Sequence, residues 1–149
     1  MSPTTETDRK NWALLVLALA EGRPFSPVQL QKSLFLIGKK LPSSEMPANF
    51  YRFEPDNYGP FCGEIYDDVR ELAAERLAFI TRAPGNYLEY AATDKGIAQG
   101  KNVAESLPKD VVEYCQKLID WVRGQSFRSL VSSIYREFPE YKTNSIFQE

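Results

Sequence analysis

Apolar positions in this chain fall mostly at helical spacing, and Gly, Pro and Ser divide them into elements. The nearly continuous apolar run from Trp12 to Ala20 predicts a first helix from about Asp8 to Glu21, buried on most sides and stopped at Gly22. Arg23-Pro24-Phe25 reads as a connector. Ser26-Pro27-Val28-Gln29 then reads as a helix start, with a Ser cap, Pro at the first helical position and Gln at the third. Leu30, Leu34, Ile37 and Leu41 mark one face of this second helix. Pro42 to Tyr58 reads as a long connection in which Phe50-Tyr51-Arg52-Phe53 could form a short extended segment. Asp56 and Asn57 favour a turn, and Gly59 accepts the conformation that a following Pro imposes. Pro60 is placed to open a third helix that runs to about Arg76, with Phe61, Ile65, Val69 and Leu72 on its core face.

Leu77 to Thr81 and Tyr87 to Ala91 read as strands joined by the turn Ala83-Pro84-Gly85-Asn86, and a short helical segment starts near Thr93. A longer helix follows from about Pro108 to Arg123, striped by Val111, Cys115, Leu118 and Val122. Ser126 caps a last helix that Pro139 stops after Phe138. The expected fold class is mainly α with a small β-hairpin. Three helices followed by a hairpin is the element order of a winged helix. The chain therefore divides into a frayed N-terminus over residues 1–7, a winged-helix-like module over residues 8–105 and a C-terminal helical extension over residues 106–149. The extension either packs on the module or pairs two copies as a homodimer.

Composition narrows the function. With 149 residues, 43% of them hydrophobic, the chain can bury a core without disulfides or metal. Its 18 basic and 20 acidic side chains leave a charge of −2, which argues against a polyelectrolyte binder. Histidine is absent, which removes the commonest general base, the commonest metal ligand and every Ser-His or Cys-His nucleophile. Cys62 and Cys115 are too far apart for a C-x-x-C pair, and two free thiols suit a reducing cytoplasm. The Trp12–Ala20 run is shorter than the about 20 residues that a membrane span needs. Ala18-Leu19-Ala20 imitates a leader-cleavage site but sits inside the apolar run, behind a flank that is not basic. Asp67 and Asp68 are adjacent, so they point about 100° apart on a helix and make a poor metal pair. The expectation is a cytoplasmic protein without membrane contact, cofactor, metal or enzymatic activity, in which Cys62 is a buried small hydrophobe.

Two segments carry a resemblance. Leu30-Gln31-Lys32-Ser33-Leu34-Phe35-Leu36 resembles the LQK-apolar stretch of the SocA-like, or Panacea, antitoxin domains. Tyr58-Gly59-Pro60-Phe61, preceded by Phe53 and Pro55 and followed by Tyr66-Asp67-Asp68-Val69, resembles their GP turn and next helix, and that of related small phage- and mobile-element-associated proteins. The likeness spans about residues 10 to 97. The chain departs from it at Ser33 and in its extra helical pair. The resemblance implies neutralisation of a toxin by direct protein contact. It makes the chain an antitoxin-like, non-enzymatic neutraliser or an accessory factor of a toxin–antitoxin, phage or mobile-element system.

Three surfaces are candidates. Glu64, Asp68, Glu71 and Glu75 fall at steps of a helical face and form one acidic stripe, which reads either as a solvated face or as a contact for a basic partner such as a toxin. The same stripe disfavours DNA recognition by the third helix, since it would meet phosphates with like charge. The alternative, a winged-helix DNA-binding transcription regulator, would use Arg23, Lys32, Lys39 and Lys40, which otherwise read as the wet face of helix two. Phe50, Phe53 and Tyr58 could form an aromatic notch for a peptide, while Trp12, Tyr114, Trp121 and Tyr135 read as packing.

Overall fold

A computed structural model describes residues 5–147. Six α-helices and four short strands follow in the order α1 (Thr5–Leu19), α2 (Pro27–Lys40), β1 (Glu54–Asp56), β2 (Gly59–Phe61), α3 (Glu64–Ala74), β3 (Ala78–Ala83), β4 (Tyr87–Ala92), α4 (Asp94–Glu105), α5 (Lys109–Gly124) and α6 (Phe127–Glu137). The fold class is the expected one, mainly α with a small hairpin. Helix α1 begins before the expected Asp8, and the rest of the terminus expected to fray lies outside the described residues. No helix among the described residues is long and apolar enough to cross a membrane.

The apolar run makes α1 the central helix, with Ala13 to Leu17 and Ala20 at 1% exposure or less. It ends where Glu21 and Gly22 take positive φ. The start of α2 is built as its sequence predicts. The Gln29 N–H donates to Ser26 Oγ at 3.2 Å and the Ser26 N–H donates to Gln29 Oε1 at 2.9 Å. The expected connector does more than connect. Phe25 pairs with Tyr90 through both backbone bonds, at 2.8 and 3.0 Å, so the loop before α2 adds an isolated bridge to the outer side of β4. That hairpin turns through Gly85 and Asn86, both at positive φ.

Two expectations need correction. Pro60 does not open a helix: it lies in β2, paired with Pro55 of β1, and α3 starts only at Glu64. Gly59, at φ +103°, lets the turn reverse, and side chains of α2 hold the following backbone extended. The extended segment expected at Phe50–Phe53 is displaced to Glu54–Asp56. The C-terminal extension packs on the rest of the chain, one of the two arrangements expected for it. Val111, Cys115 and Ile119 of α5 sit in the same apolar cluster as Trp12, Leu30 and Val69, so module and extension share one core. A second cluster, Phe35, Leu36, Val122, Leu130 and Ile134, joins α2 to α5 and α6. The tail returns to the turn: the Ile146 N–H donates to Asn57 O at 3.0 Å, and Tyr135 Oη donates to Ser145 Oγ at 2.6 Å.

Helix α4 is a full helix rather than the expected short segment, capped by Thr93 Oγ1, which accepts the Gly96 N–H at 2.9 Å. It lies tight on α1 because Gly100 faces that helix without a side chain, and Gly96 lets its first turn approach the backbone at Leu77. A Cβ at Gly96 would strike the Leu77 carbonyl, and one at Gly100 would strike Ala18, whereas Gly124 has open space around it. Gly100→Ala is therefore expected to destabilise the fold by about 2 kcal/mol through overpacking. Gly124→Ala is expected to stay within about 0.5 kcal/mol. Urea unfolding of both variants checks the pair.

Candidate functional site

Adjacent side chains on α2 organise the Tyr-Gly-Pro turn. Gln31, 2% exposed, acts as a strand partner for Cys62: its Nε2 donates to Cys62 O at 2.9 Å, and its Oε1 accepts the Cys62 N–H at 2.9 Å. Lys32, 3% exposed, donates from Nζ to Pro60 O at 2.8 Å. The two segments on which the family resemblance rests therefore touch through buried hydrogen bonds. Burial pushes the Lys32 ammonium down to about 8 from its ordinary 10.5, against an opposing pull from Asp56. Beside Lys32 lies a recess of about 220 Å³, walled by Gln31, Asp56, Tyr58, Phe61 and Tyr66.

The acidic row of α3 has partners inside the chain. Asp68 is 4% exposed. It accepts from Arg9 Nε at 2.8 Å, from Arg9 Nη2 at 3.0 Å and from Tyr51 Oη at 2.6 Å. The Asp68 hydrogen bond holds the Arg9 guanidinium more firmly protonated than usual, and burial raises the Tyr51 phenol. Glu64 accepts from Arg9 Nη1 at 3.1 Å, and Lys10 Nζ lies 2.9 Å from Glu75 and 3.5 Å from Glu71. Of the acidic stripe, Asp68 is therefore buried beyond a partner's reach, whereas Glu64, Glu71 and Glu75 stay exposed while pairing with the start of α1. The row is one-sided because α1 supplies its counter-charges.

The other candidates also separate. Phe50 packs edge-on against Trp12, Phe53 against Phe35, and Tyr58 against Phe127; Phe50 and Phe53 share the lining of a hollow of about 280 Å³, and Tyr58 lies apart from it. Of the four cations assigned to a duplex, Lys32 is buried. Arg23 Nε caps the Ala20 carbonyl at 2.8 Å, Lys39 lies over the Phe35 and Tyr141 rings, and Lys40 pairs with Glu137. Both cysteines are buried and free. Burial pushes the Cys115 thiol up to about 12 and raises that of Cys62. Among the described residues, no group of three or more Asp, Glu or Cys side chains is placed to hold a metal ion.

What the sequence reading missed lies on α5. Tyr114, 38% exposed, and Trp121, 40% exposed, border an open groove of about 470 Å³ between α2, α5 and α6. Leu36, Leu118 and Ile134 also line it, together with Arg136 and the paired Lys40 and Glu137. The signal was present: Tyr114, Leu118 and Trp121 form a second apolar row at i, i+4 and i+7, beside the core stripe of α5. Compared with protein-family models, with curated proteins and with solved structures, the chain matches none of them.

Two measurements check this electrostatic picture. Asp68→Ala should cost about 3 kcal/mol, because it removes the buried carboxylate that accepts from both Arg9 and the Tyr51 hydroxyl. Exposed Glu71→Ala should cost at most about 0.5 kcal/mol in the same urea titrations. Lys32 gives the second. Its folded pKa lies below its unfolded value, so the unfolded chain binds more protons between the two. Stability should then rise as pH increases from about 8 toward 10.5, by about 3 kcal/mol from this group. The rise should be missing from the same pH series on Lys32→Met.

Proposed function

We propose that the chain is a non-enzymatic protein-binding module of the cytoplasm: an antitoxin-like neutraliser, or an accessory factor, of a toxin–antitoxin, phage or mobile-element system. The observation that carries this reading is the groove flanked by Tyr114 and Trp121. Two large rings left about 40% exposed over an apolar floor, with an exposed Arg136 on the rim, have the composition of a binding hot spot. The resemblance of the LQK and Tyr-Gly-Pro segments to antitoxin domains points the same way. The row of α3 has its charge offset in part by Arg9 and Lys10, which weakens the reason for the partner to be basic. The groove favours a partner segment that inserts an apolar or aromatic side chain and carries an acid for Arg136.

The test is co-expression with the product of the adjoining gene. The expected result is a 1:1 complex that relieves that product's toxicity, weakened by about 2 kcal/mol, or roughly thirtyfold in Kd, in Trp121→Glu or Tyr114→Glu. Both positions are exposed, so thermal unfolding of these variants should match the parent chain. Binding that survives both changes but disappears on reversing Glu64, Glu71 and Glu75 to Lys would overturn the groove as the contact. Absence of any complex would overturn the antitoxin-like reading.

A further inference from the structure

Lys32 presents an electrostatic problem that the fold leaves open. An ammonium has three donors and pays heavily for burial unless acceptors or a counter-charge replace its water. Lys32 is 3% exposed, yet among the described residues its side chain donates to the neutral Pro60 carbonyl and makes no ion pair. Asp56 acts on it only through space. Lysine is not needed merely to satisfy the Pro60 carbonyl, which a neutral donor would serve at lower cost.

The surroundings indicate what would complete it. The recess of about 220 Å³ beside Lys32 is walled by three rings, Tyr58, Phe61 and Tyr66, and Tyr58 and Phe61 are 41% and 38% exposed. One cation faces this space and Asp56 lies on its wall, so the site suits a single negative charge and disfavours a dianion such as phosphate. The volume is below the about 300–1,000 Å³ of sites for drug-sized ligands, and the rings favour a flat apolar body. We propose that this recess binds a small aromatic monocarboxylate, its carboxylate held by Lys32 and its ring lodged among Tyr58, Phe61 and Tyr66. The same chemistry is offered by a free aromatic acid and by the terminal carboxylate of a chain ending in an aromatic residue. The site is independent of the α5 groove, so either assignment can fail without the other.

The probes are phenylacetate, N-acetylphenylalanine, phenylacetamide and inorganic phosphate, titrated into the full chain by calorimetry and amide NMR. Phenylacetate should bind with Kd on the order of 1 mM or tighter, with shifts centred on residues 56–66, while phenylacetamide and phosphate should not bind. Stronger binding of N-acetylphenylalanine would support the site and assign it to a chain terminus. Lys32→Met should weaken carboxylate binding at least about tenfold. Phe61→Ala, at an exposed ring, should weaken it severalfold with unfolding unchanged, which covers the case in which the lysine variant misfolds. At pH 8 the wild type should take up a fraction of a proton on binding, read from buffers of different ionisation enthalpy. Asp56, Tyr58 and Tyr66 share the recess and Tyr135 packs behind Gly59, so the same titration on the lysine variant isolates its share. Equal binding of phenylacetamide, binding of phosphate in place of the carboxylates, undiminished binding by Lys32→Met, or no carboxylate binding at all would overturn the proposal.

Discussion

The backbone from Pro60 to Cys62 is held on one side by β1 and on the other by side chains of a neighbouring helix. Gln31 provides both a donor and an acceptor to Cys62, and Lys32 provides a donor to Pro60. All of this happens away from water, where an unpaired peptide group costs about 1–3 kcal/mol. The segment therefore has one economical position, along the side of α2. Because α3 starts immediately after it, that position also sets where α3 meets α1. The Tyr-Gly-Pro turn, the recess beneath it and the direction of α3 are consequences of two adjacent side chains on one helical turn.

The charges follow from that placement. Once α3 lies beside α1, Asp68 comes under Arg9 and Tyr51, and Glu64, Glu71 and Glu75 come alongside Arg9 and Lys10. A surface that looks one-sided on a single helix is balanced in part across two. The pairs differ in weight. The Asp68 cluster is shielded from solvent and geometrically complete, whereas the Lys10 contacts are exposed and of little energetic value. This division also moves the search for a partner surface away from α3 and toward the exposed rings of α5.

The helices and the main hairpin were legible in the sequence because their signals are local. The Ser26 capping box, the Ser126 cap and the Gly85-Asn86 turn state their own geometry, and the structure realises each. Pro60 was misread because proline's fixed φ suits both a helix start and an extended strand, and only the distant Gln31 and Lys32 select the second. Lys32 and Asp68 were read as surface charges because burial is a property of neighbours: each faces an element far away in sequence. The α5 groove was hidden for the opposite reason. Its apolar row adjoins the core row, and spacing alone does not say where burial stops.

The tail's return to the turn has a kinetic meaning. Asn144 and Ser145 bond to Pro55 and Asn57 across 89 and 88 positions, so the turn beside the recess is tied down by chain emerging long after it. Contacts of such range are slow to close, because the chain must surrender loop freedom before they form. During synthesis the α1–α2 core can assemble while the turn stays incomplete. The turn that walls the recess is therefore fastened late, after the residues that line it have already been made.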